Sequence, residues 1–272
     1  MNTKNFPVEF VFILLSYSNI PGASHVLGLL NKFYPDNPIV IENNNPGIFF
    51  EEAISLTSIR NPLIIVNNKK NLGFAAGCND GARKAVKKIN PSYLIFLNDD
   101  TDFDTDWIKP CLYEMKKRKW VATVPVLRKP TGEIENVGYF VLTYGKIQLV
   151  KNLQNNKPVD GLTGAALIFQ TDIFQKLNGF DERFFAYLED VDLFLRAKKT
   201  GYKFGPTKEA TVFHIGQGTW SGMKSKKAYL DFRNWILLIA KHWSAEEIVR
   251  FFPQILIERM RNLWGIVKSF FN

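Results

Sequence analysis

The run FLNDDTD (residues 96–102) carries an apolar strand, Tyr93 to Leu97, straight into Asn98, Asp99, Asp100 and Asp102. Carboxylates packed this closely repel one another unless a cation or water absorbs the charge. A solvated turn accounts for an isolated pair of aspartates. His214, in TVFHIGQGT, ends a β-branched run and opens a glycine-rich loop, so its ring is held at a strand end. A structural hydrogen bond is the ordinary use of such a histidine, but imidazole with carboxylate oxygens also suits Mn2+ and tolerates Mg2+.

A second acidic group stands in EDVDLFLRAKKTG (residues 189–201), where Val191 and Leu195 share a helix face and Gly201 supplies the stop. Glu189 and Asp190 therefore fall at the helix start. Amide dipoles there favour a carboxylate by about 0.3–1 kcal/mol, under one pKa unit, so Asp190 is expected to be ionised at neutral pH and able to accept a proton. Capping is the competing role. The aromatic lead-in FFAY, from Phe184, supplies apolar walls that would exclude water from a reacting hydroxyl. NLGFAAGCNDGARK (residues 71–84), beginning at Asn71 and Gly73, follows a strand and opens a helix, so its amides could face a phosphate. It has neither the ending of a P-loop nor a dinucleotide GxGxxG.

The elements that must position these groups alternate. Strand-like VEFVFILLSY, PIVIEN, LIIVNN and YLIFLND are separated by helical stretches around residues 23–33, 48–58 and 75–88. Continuous apolar strands joined through helices read as a parallel sheet buried on both faces. Ligands bind beyond the carboxyl ends of such strands, and three ends here are polar: Ser16-Tyr17-Ser18, Glu42-Asn43-Asn44 and Asn98-Asp99-Asp100. Further on come a helix to Lys119, a strand VATVPVL, a hairpin region at 137–150 with Gly138 and Gly145 as turn or bulge residues, a strand in GLTGAALIF and a helix in TDIFQKLNG. Ser244 and Glu247 form a capping box, and Pro253 is expected to break or kink the helix that follows. Beyond it Leu256, Met260, Leu263, Val267, Phe270 and Phe271 recur at helical spacing, a stripe that either packs on its own domain or lies on a membrane or partner.

With 46% hydrophobic residues in a chain of 272, a full core can be buried, which argues for one domain with a small appendage. The formal charge is +9, and beyond Met223 nine Lys/Arg stand against four Asp/Glu, so an anionic neighbour is expected for the tail. The basic residues lie in short scattered groups with no nucleic-acid module, so a membrane surface fits better than nucleic acid. No apolar run approaches the roughly twenty residues of a spanning helix. The first apolar run has no basic leader or cleavage site and reads as a strand, which with only two cysteines, Cys78 and Cys111, places the protein in the cytoplasm.

Taken in order, NLGFAAGCNDG, FLNDDTD, the long GFDERFFAYLEDVDLFLR block, VFHIGQGT and YLDFRNWILL resemble glycosyltransferase family 2, particularly its rhamnosyltransferase-like branch of bacterial polysaccharide enzymes. The resemblance covers roughly residues 8–240. It implies an α/β GT-A fold, a mostly parallel Rossmann-like sheet flanked by helices. A catalytic domain would span 1–222, with a nucleotide-binding half at about 8–104 and an acceptor half at about 105–222, followed by a basic amphipathic helical tail at 223–272. It also implies a nucleotide-diphosphate sugar donor (dTDP-rhamnose or a UDP-hexose), Mn2+ or Mg2+, inversion at the anomeric carbon, and a glycan or lipid-linked glycan acceptor.

Carried onto this chain, Asn98-Asp99-Asp100 takes the place of the metal-binding motif, with Asp100 the direct ligand and Asn98 nearer the ribose. His214 completes the metal shell and Asp190 is the general base. Glu42 hydrogen-bonds the nucleobase, beside a first-strand pocket of Ser16 and Tyr17. The acceptor side is built by residues 161–166 and 184–187, with Gly164 and Glu189 there. Trp220 either stacks on a sugar or belongs to the core, and Arg233 either meets phosphate or acceptor or pins the last helix. The chain departs from the family pattern at Glu42 and Asn98, where Asp is common, and at Gln170-Thr171, where an Arg often follows. Two rival classes remain. A catalytically silent nucleotide- or glycan-binding subunit would not need a base at the helix start. A nucleotidyltransferase would want a basic, glycine-rich loop after the first strand, which YSNIPGASH is not.

Overall fold

The computed structural model describes residues 8–53, 58–154, 157–216 and 224–271. The apolar runs of the first hundred residues form β1 (Phe10–Ser16), β2 (Ile39–Asn43), β3 (Leu63–Asn67) and β4 (Tyr93–Asn98), and the amphipathic stretches between them form α1 (Ile20–Phe33), α2 (Phe50–Ala53) and α3 (Gly73–Lys88). The chain continues through β5 (Thr101–Asp102), α4 (Ile108–Arg118), β6 (Ala122–Arg128), β7 (Ile134–Asn136), β8 (Tyr139–Val141), β9 (Ile147–Leu149), β10 (Ala166–Gln170) and α5 (Thr171–Lys176). A 3-10 turn (Glu182–Phe184), α6 (Glu189–Lys199), β11 (Phe204–His214), α7 (Lys224–His242) and α8 (Ala245–Phe271) complete it.

Nine strands make one sheet in the order β3-β2-β1-β4-β10-β6-β11-β5, with β7 on β6. The first four are parallel, as continuous apolar strands require. β1 shows why: Val11 and Ile13 pack with Ala75, Cys78 and Ala82 of α3 on one face, while Phe12 and Leu14 pack with Val26, Leu27 and Leu30 of α1 on the other. β10 then enters antiparallel between β4 and β6, and β6 runs parallel to β11. The parallel register sets Leu15 beside both Glu42 and Asn98, so the carboxyl ends of β1, β2 and β4 form one rim.

The helix expected at 48–58 is described only over Phe50–Ala53, since residues 54–57 lie outside the described residues. Pro253 does not end its helix: α8 runs through it. Val249, whose carbonyl the missing amide would have met, is 75% exposed, so water can serve that carbonyl instead. The tail stripe is not packed on the domain over its described part. Ile255 is buried near Trp235 and Ile239, but Leu256, Met260 and Leu263 are exposed. The capping box forms as read, Ser244 N–H donating to Glu247 (2.8 Å) and Glu247 N–H to Ser244 Oγ (3.2 Å).

α7 is fastened to the domain at both ends of its buried face. Trp235 Nε1 donates to the Gly145 carbonyl in the β8–β9 turn (2.8 Å), where Gly145 has φ +79° and a Cβ would stand 2.4 Å from Ile239. Near its C-terminus Lys241 meets Asp181 and Asp192 (both 2.7 Å), and His242 Nε2 meets Asp192 (2.7 Å), which Arg196 also holds (2.8 Å). Hydrogen bonds from Arg183, then from Lys241, keep the Asp181 carboxyl well below its usual range despite partial burial. Burial alone would raise Asp192, but His242, Arg196 and Lys241 together lower it.

Folded-state values depressed below the unfolded ones give stability that is present above the unfolded carboxylate range and lost as pH falls through the folded values. The stability contributed by these two carboxyls, read by circular dichroism as the gap in melting temperature between wild type and Asp181→Asn, is therefore expected to be constant above about pH 5 and to shrink progressively below about pH 4. Asp192→Asn should cost about 1–3 kcal/mol at pH 7, because it removes the buried carboxylate that Arg196, Lys241 and His242 share while Lys241 keeps Asp181, and the gap from wild type should narrow at pH 3.

Candidate active site

The acidic turn after β4 is built from inside outwards. Asp99 is buried, accepts from Ser16 Oγ (2.9 Å) and offers its carbonyl to Asn19 Nδ2 (2.9 Å). Burial pushes its pKa up to about 7, the Ser16 hydrogen bond opposing and the Asp100 charge adding. Ser16 is thus a partner of Asp99 rather than a wall of a base pocket, while Tyr17 stands half-buried just past β1. Asp100 is also buried, and its Oδ1 has no hydrogen-bond partner.

β11 brings the histidine to this turn. His214 pairs with Thr101 across the β5–β11 ladder, and Ile215 N–H donates to the Asp100 carbonyl (2.8 Å). His214 Nε2 lies 3.3 Å from Asp100 Oδ1, and its Nδ1 lies 3.0 Å from Glu135 Oε2 in β7. Burial would lower the imidazole, but Asp100 and Glu135 outweigh it and raise the pKa to about 10. Glu135 was not foreseen: a three-residue strand carries no periodicity from which to read it.

The donor set fits a divalent cation. An orphaned buried carboxylate oxygen faces an imidazole nitrogen whose other nitrogen is held by a carboxylate, the usual support of a metal-binding histidine. Among the described residues no three such ligands converge on one point, so Asp100 and His214 would leave the remaining places to substrate oxygens and water.

Asn98 and His214 open into a cavity of about 350 Å3 that Gly164, Glu189 and Asp190 also line, with Phe74, Tyr139 and Asp231. A larger cleft of about 540 Å3, beside Trp120, Val159 and Phe204, holds none of the predicted residues. Asp190 Oδ2 accepts from Gly164 N–H (3.2 Å) and Oδ1 from its neighbour Val191 N–H (2.8 Å). The small shift expected from helix dipoles is overridden: burial raises Asp190 to about 6, with the Val191 and Gly164 amides opposing. Glu189, buried with an unpartnered Oε2, is pushed well above the carboxylate range by burial and then by the Asp190 charge. Burial thus favours the protonated form at both carboxyls, and the two backbone amides oppose it at Asp190. The Tyr139 hydroxyl is also buried and unpartnered, so two residues lining the cavity, Glu189 and Tyr139, each have a buried polar atom without a hydrogen-bond partner.

Other predicted residues stand elsewhere. Glu42 is fully buried, accepting from Asn68 Nδ2 (2.9 Å) and paired with Lys84 (3.5 Å), with burial raising its pKa. It faces α3, where a Cβ on Gly81 would lie 3.1 Å from it, so the expected nucleobase contact is not on offer. The phosphate cradle at the start of α3 is likewise occupied from within. Asn71 Oδ1 takes the Gly73 amide (2.8 Å) and the Phe185 carbonyl takes the Ala75 amide (3.1 Å). Gly73 has φ +79° and a Cβ there would stand 2.5 Å from that carbonyl, which is why glycine is needed. Arg233 serves the packing role, donating to the carbonyls of Phe184 (3.1 Å) and Arg183. Trp220 lies outside the described residues. Cys78 and Cys111 are buried free thiols, raised by burial and inert.

Comparison with known proteins agrees with this geometry. The family model described as "Glycosyl transferase family 2" matches residues 27–177, and one described as "N-terminal domain of galactosyltransferase" matches residues 148–216. The chain is 24% identical over 181 residues to the low-salt glycan biosynthesis hexosyltransferase Agl10 of Haloferax volcanii, covering 62% of this chain and 57% of that one. It is 25% identical over 148 residues to the rhamnosyltransferase WbbL of Escherichia coli K12, covering 48% and 56%. The chain thus spans little more than half the length of these curated relatives. A crystal structure of GalNAc-T7 with UDP, GalNAc and Mn2+ superposes with a TM-score of 0.66 at 14% identity, covering 91% of this chain and 50% of that one, which shows a shared fold. Since the first family model covers more than half of the 272 residues, the chain belongs to glycosyl transferase family 2 and has the GT-A architecture of that group.

Proposed function

We propose that the protein transfers a sugar, with inversion, from a nucleotide-diphosphate donor to a hydroxyl of a glycan or lipid-linked glycan in cell-surface polysaccharide synthesis. The observation that carries this reading is the single cavity in which Asn98, His214 and the Glu189–Asp190 pair meet. Asp190 accepts the proton of the attacking hydroxyl as the new C–O bond forms, and the diphosphate departs from the opposite face of the sugar with the electron pair of the broken bond. Gly164 and Val191 amides hold the Asp190 oxygens in place, while Glu189, raised by burial and by the Asp190 charge, has an oxygen with no partner. Phe74, Ala186 and Leu188 wall the cavity and exclude competing water. A divalent cation at Asp100 and His214, oriented through Glu135, supplies charge neutralisation for the diphosphate. The names of the relatives, a hexosyltransferase and a rhamnosyltransferase, favour a hexose or rhamnose as the sugar, for which we take a UDP-hexose or dTDP-rhamnose as donor.

No helix of the described chain is long and apolar enough to cross a membrane. The described part of α8 nevertheless exposes Val249, Phe252, Leu256, Met260 and Leu263 at helical spacing, with Arg250 and Arg261 beside them. We assign this face to an anionic lipid surface, where a lipid-linked acceptor would be met.

Calorimetry with UDP, dTDP and GDP, each with and without Mn2+ or Mg2+, is expected to show one nucleotide bound in a metal-dependent way. Asp100→Ala and His214→Ala should abolish the metal effect, and Glu135→Gln should weaken metal affinity by about 10–100-fold. No metal-dependent binding to any of the three would bring forward a silent binding subunit. With the donor so identified, Asp190→Asn should lower turnover by about 10²–10⁴ while leaving donor affinity unchanged. Because the base must be deprotonated, wild-type kcat should fall as pH drops below about 6, with Glu189, Tyr139, Asp231 and His214 the other titratable groups facing the cavity. A rate that is flat down to about pH 4.5 would remove Asp190 from the role. Co-sedimentation with vesicles containing phosphatidylglycerol should exceed that with neutral phosphatidylcholine, decline with salt, and be lost in Leu256→Asp/Met260→Asp.

A further inference from the structure

The loop that delivers Glu189 and Asp190 is strained. Phe185, Tyr187 and Leu188 all have positive φ (63°, 70° and 66°), a left-handed conformation that costs a non-glycine residue on the order of 1–3 kcal/mol. Such a conformation persists only where its surroundings over-determine it. The Ala186 N–H closes on the Phe184 carbonyl (2.7 Å) and Arg233 reaches the same oxygen (3.1 Å), and one buried side chain gathers this carbonyl with two more. Asn234 of α7 is 0% exposed, and its Nδ2 lies 2.8 Å from the Phe184 carbonyl, 2.7 Å from that of Ala186 and 2.7 Å from that of Tyr187. The Phe185 carbonyl is taken by the Ala75 amide, so all four consecutive carbonyls are held. Arg233 fixes the orientation of the clamp by donating to Asn234 Oδ1 (Nε, 3.0 Å; NH2, 2.7 Å), leaving only the amide nitrogen to face the carbonyls.

We propose that Asn234 is a positioning residue for catalysis: by sharing its two N–H donors among three backbone carbonyls it holds the 184–188 loop in its positive-φ turns and so keeps Asp190 against the Gly164 amide. This rests on the reading of Asp190 as the base. Asparagine is the side chain of this size that presents a donor pair and an acceptor together. Aspartate would set a carboxylate against three carbonyl oxygens, and alanine would remove the donor from the Ala186 and Tyr187 carbonyls while the Phe184 carbonyl kept the Ala186 N–H and Arg233. The attachment of α7 does not depend on this amide, because Trp235, Leu238 and Ile239 are buried on the domain and Lys241 and His242 are held by ion pairs. Loss of Asn234 is therefore expected to disturb the loop more than the helix.

The test uses the full chain with Asn234→Ala, Asn234→Asp and the milder Arg233→Gln. Three readouts are taken: 13C NMR titration of the Asp190 carboxyl, assigned by its loss in Asp190→Asn; amide hydrogen exchange; and release of nucleoside diphosphate from UDP-glucose and dTDP-rhamnose. In Asn234→Ala and Asn234→Asp the Asp190 midpoint should move by at least about half a unit, and the Ala75 and Val191 amides should exchange at least about tenfold faster while β1 and β4 stay protected. Turnover should fall at least about tenfold with donor KM nearly unchanged. Arg233→Gln should move each readout the same way by less. A lowered melting temperature with the Asp190 midpoint, the loop exchange and kcat all unmoved would overturn the proposal and leave Asn234 as packing. Should Asn234→Ala fail to fold, Asn234→Asp, which keeps the volume, and Arg233→Gln decide it. Should wild type turn over neither donor, the proposed transfer is in question while the NMR and exchange readouts still decide the role of Asn234.

Discussion

The site depends on a two-residue strand. β5 contains only Thr101 and Asp102, yet its antiparallel pairing with β11 sets His214 opposite Thr101 and brings Ile215 N–H to the Asp100 carbonyl. Without that pairing the acidic turn after β4 would be what an isolated Asp-Asp usually is, a solvated strand end. With it, an imidazole from more than a hundred residues away stands 3.3 Å from Asp100 Oδ1 and turns a repulsive cluster into a donor set. Glu135 then fixes the ring from the other side. The long twisted sheet is in effect a means of bringing β4 and β11 to the same edge of the cavity, with β10 and β6 as spacers between them.

Burial is the second constraint, and it acts in opposite senses on the two sides of the cavity. At His214 the carboxylates outweigh desolvation, so the ring is held cationic when nothing else balances them. At Glu189 and Asp190 desolvation outweighs the amides, so both carboxyls are raised above their ordinary range. Two backbone amides meet Asp190 and oppose the rise there. Two adjacent acids are thereby given different surroundings.

Much of the sheet and the helix starts was legible in the sequence, because uninterrupted apolar strands and capping signals are local. The polar ends of β1, β2 and β4, Asp190 at the start of α6 and the Ser244–Glu247 box could all be read within a dozen residues. What could not be read is where side chains turn. Glu42 sits at a polar strand end, but a residue on a parallel strand buried on both faces can point only inward to a helix, and Lys84 on α3 receives it. The amides at the start of α3 were equally visible, but Phe185, more than a hundred residues later, is what occupies one of them. Pro253 can sit inside α8 because the carbonyl its missing amide would have met belongs to Val249, which stands in the open.

Asn234 left a faint trace in the sequence. Asparagine is a weak helix former whose amide competes for backbone groups, so its appearance inside an apolar helical run, directly after Arg233, is a local inconsistency. Such inconsistencies mark places where another part of the chain needs the side chain more than the helix does. Here the need is the row of carbonyls at 184, 186 and 187, which no regular element could satisfy because the loop turns left-handed three times without a glycine. The same physics explains why that loop contains Phe185 and Tyr187 at its strained positions. Their rings take cations from α7, Lys226 over Phe185 at 5.5 Å and Lys227 over Tyr187 at 5.2 Å, contacts that glycine could not make. α7 therefore serves the loop both by its buried amide and by its first-turn lysines. The helix that composition alone assigns to a basic tail is, physically, part of the wall that holds the general base.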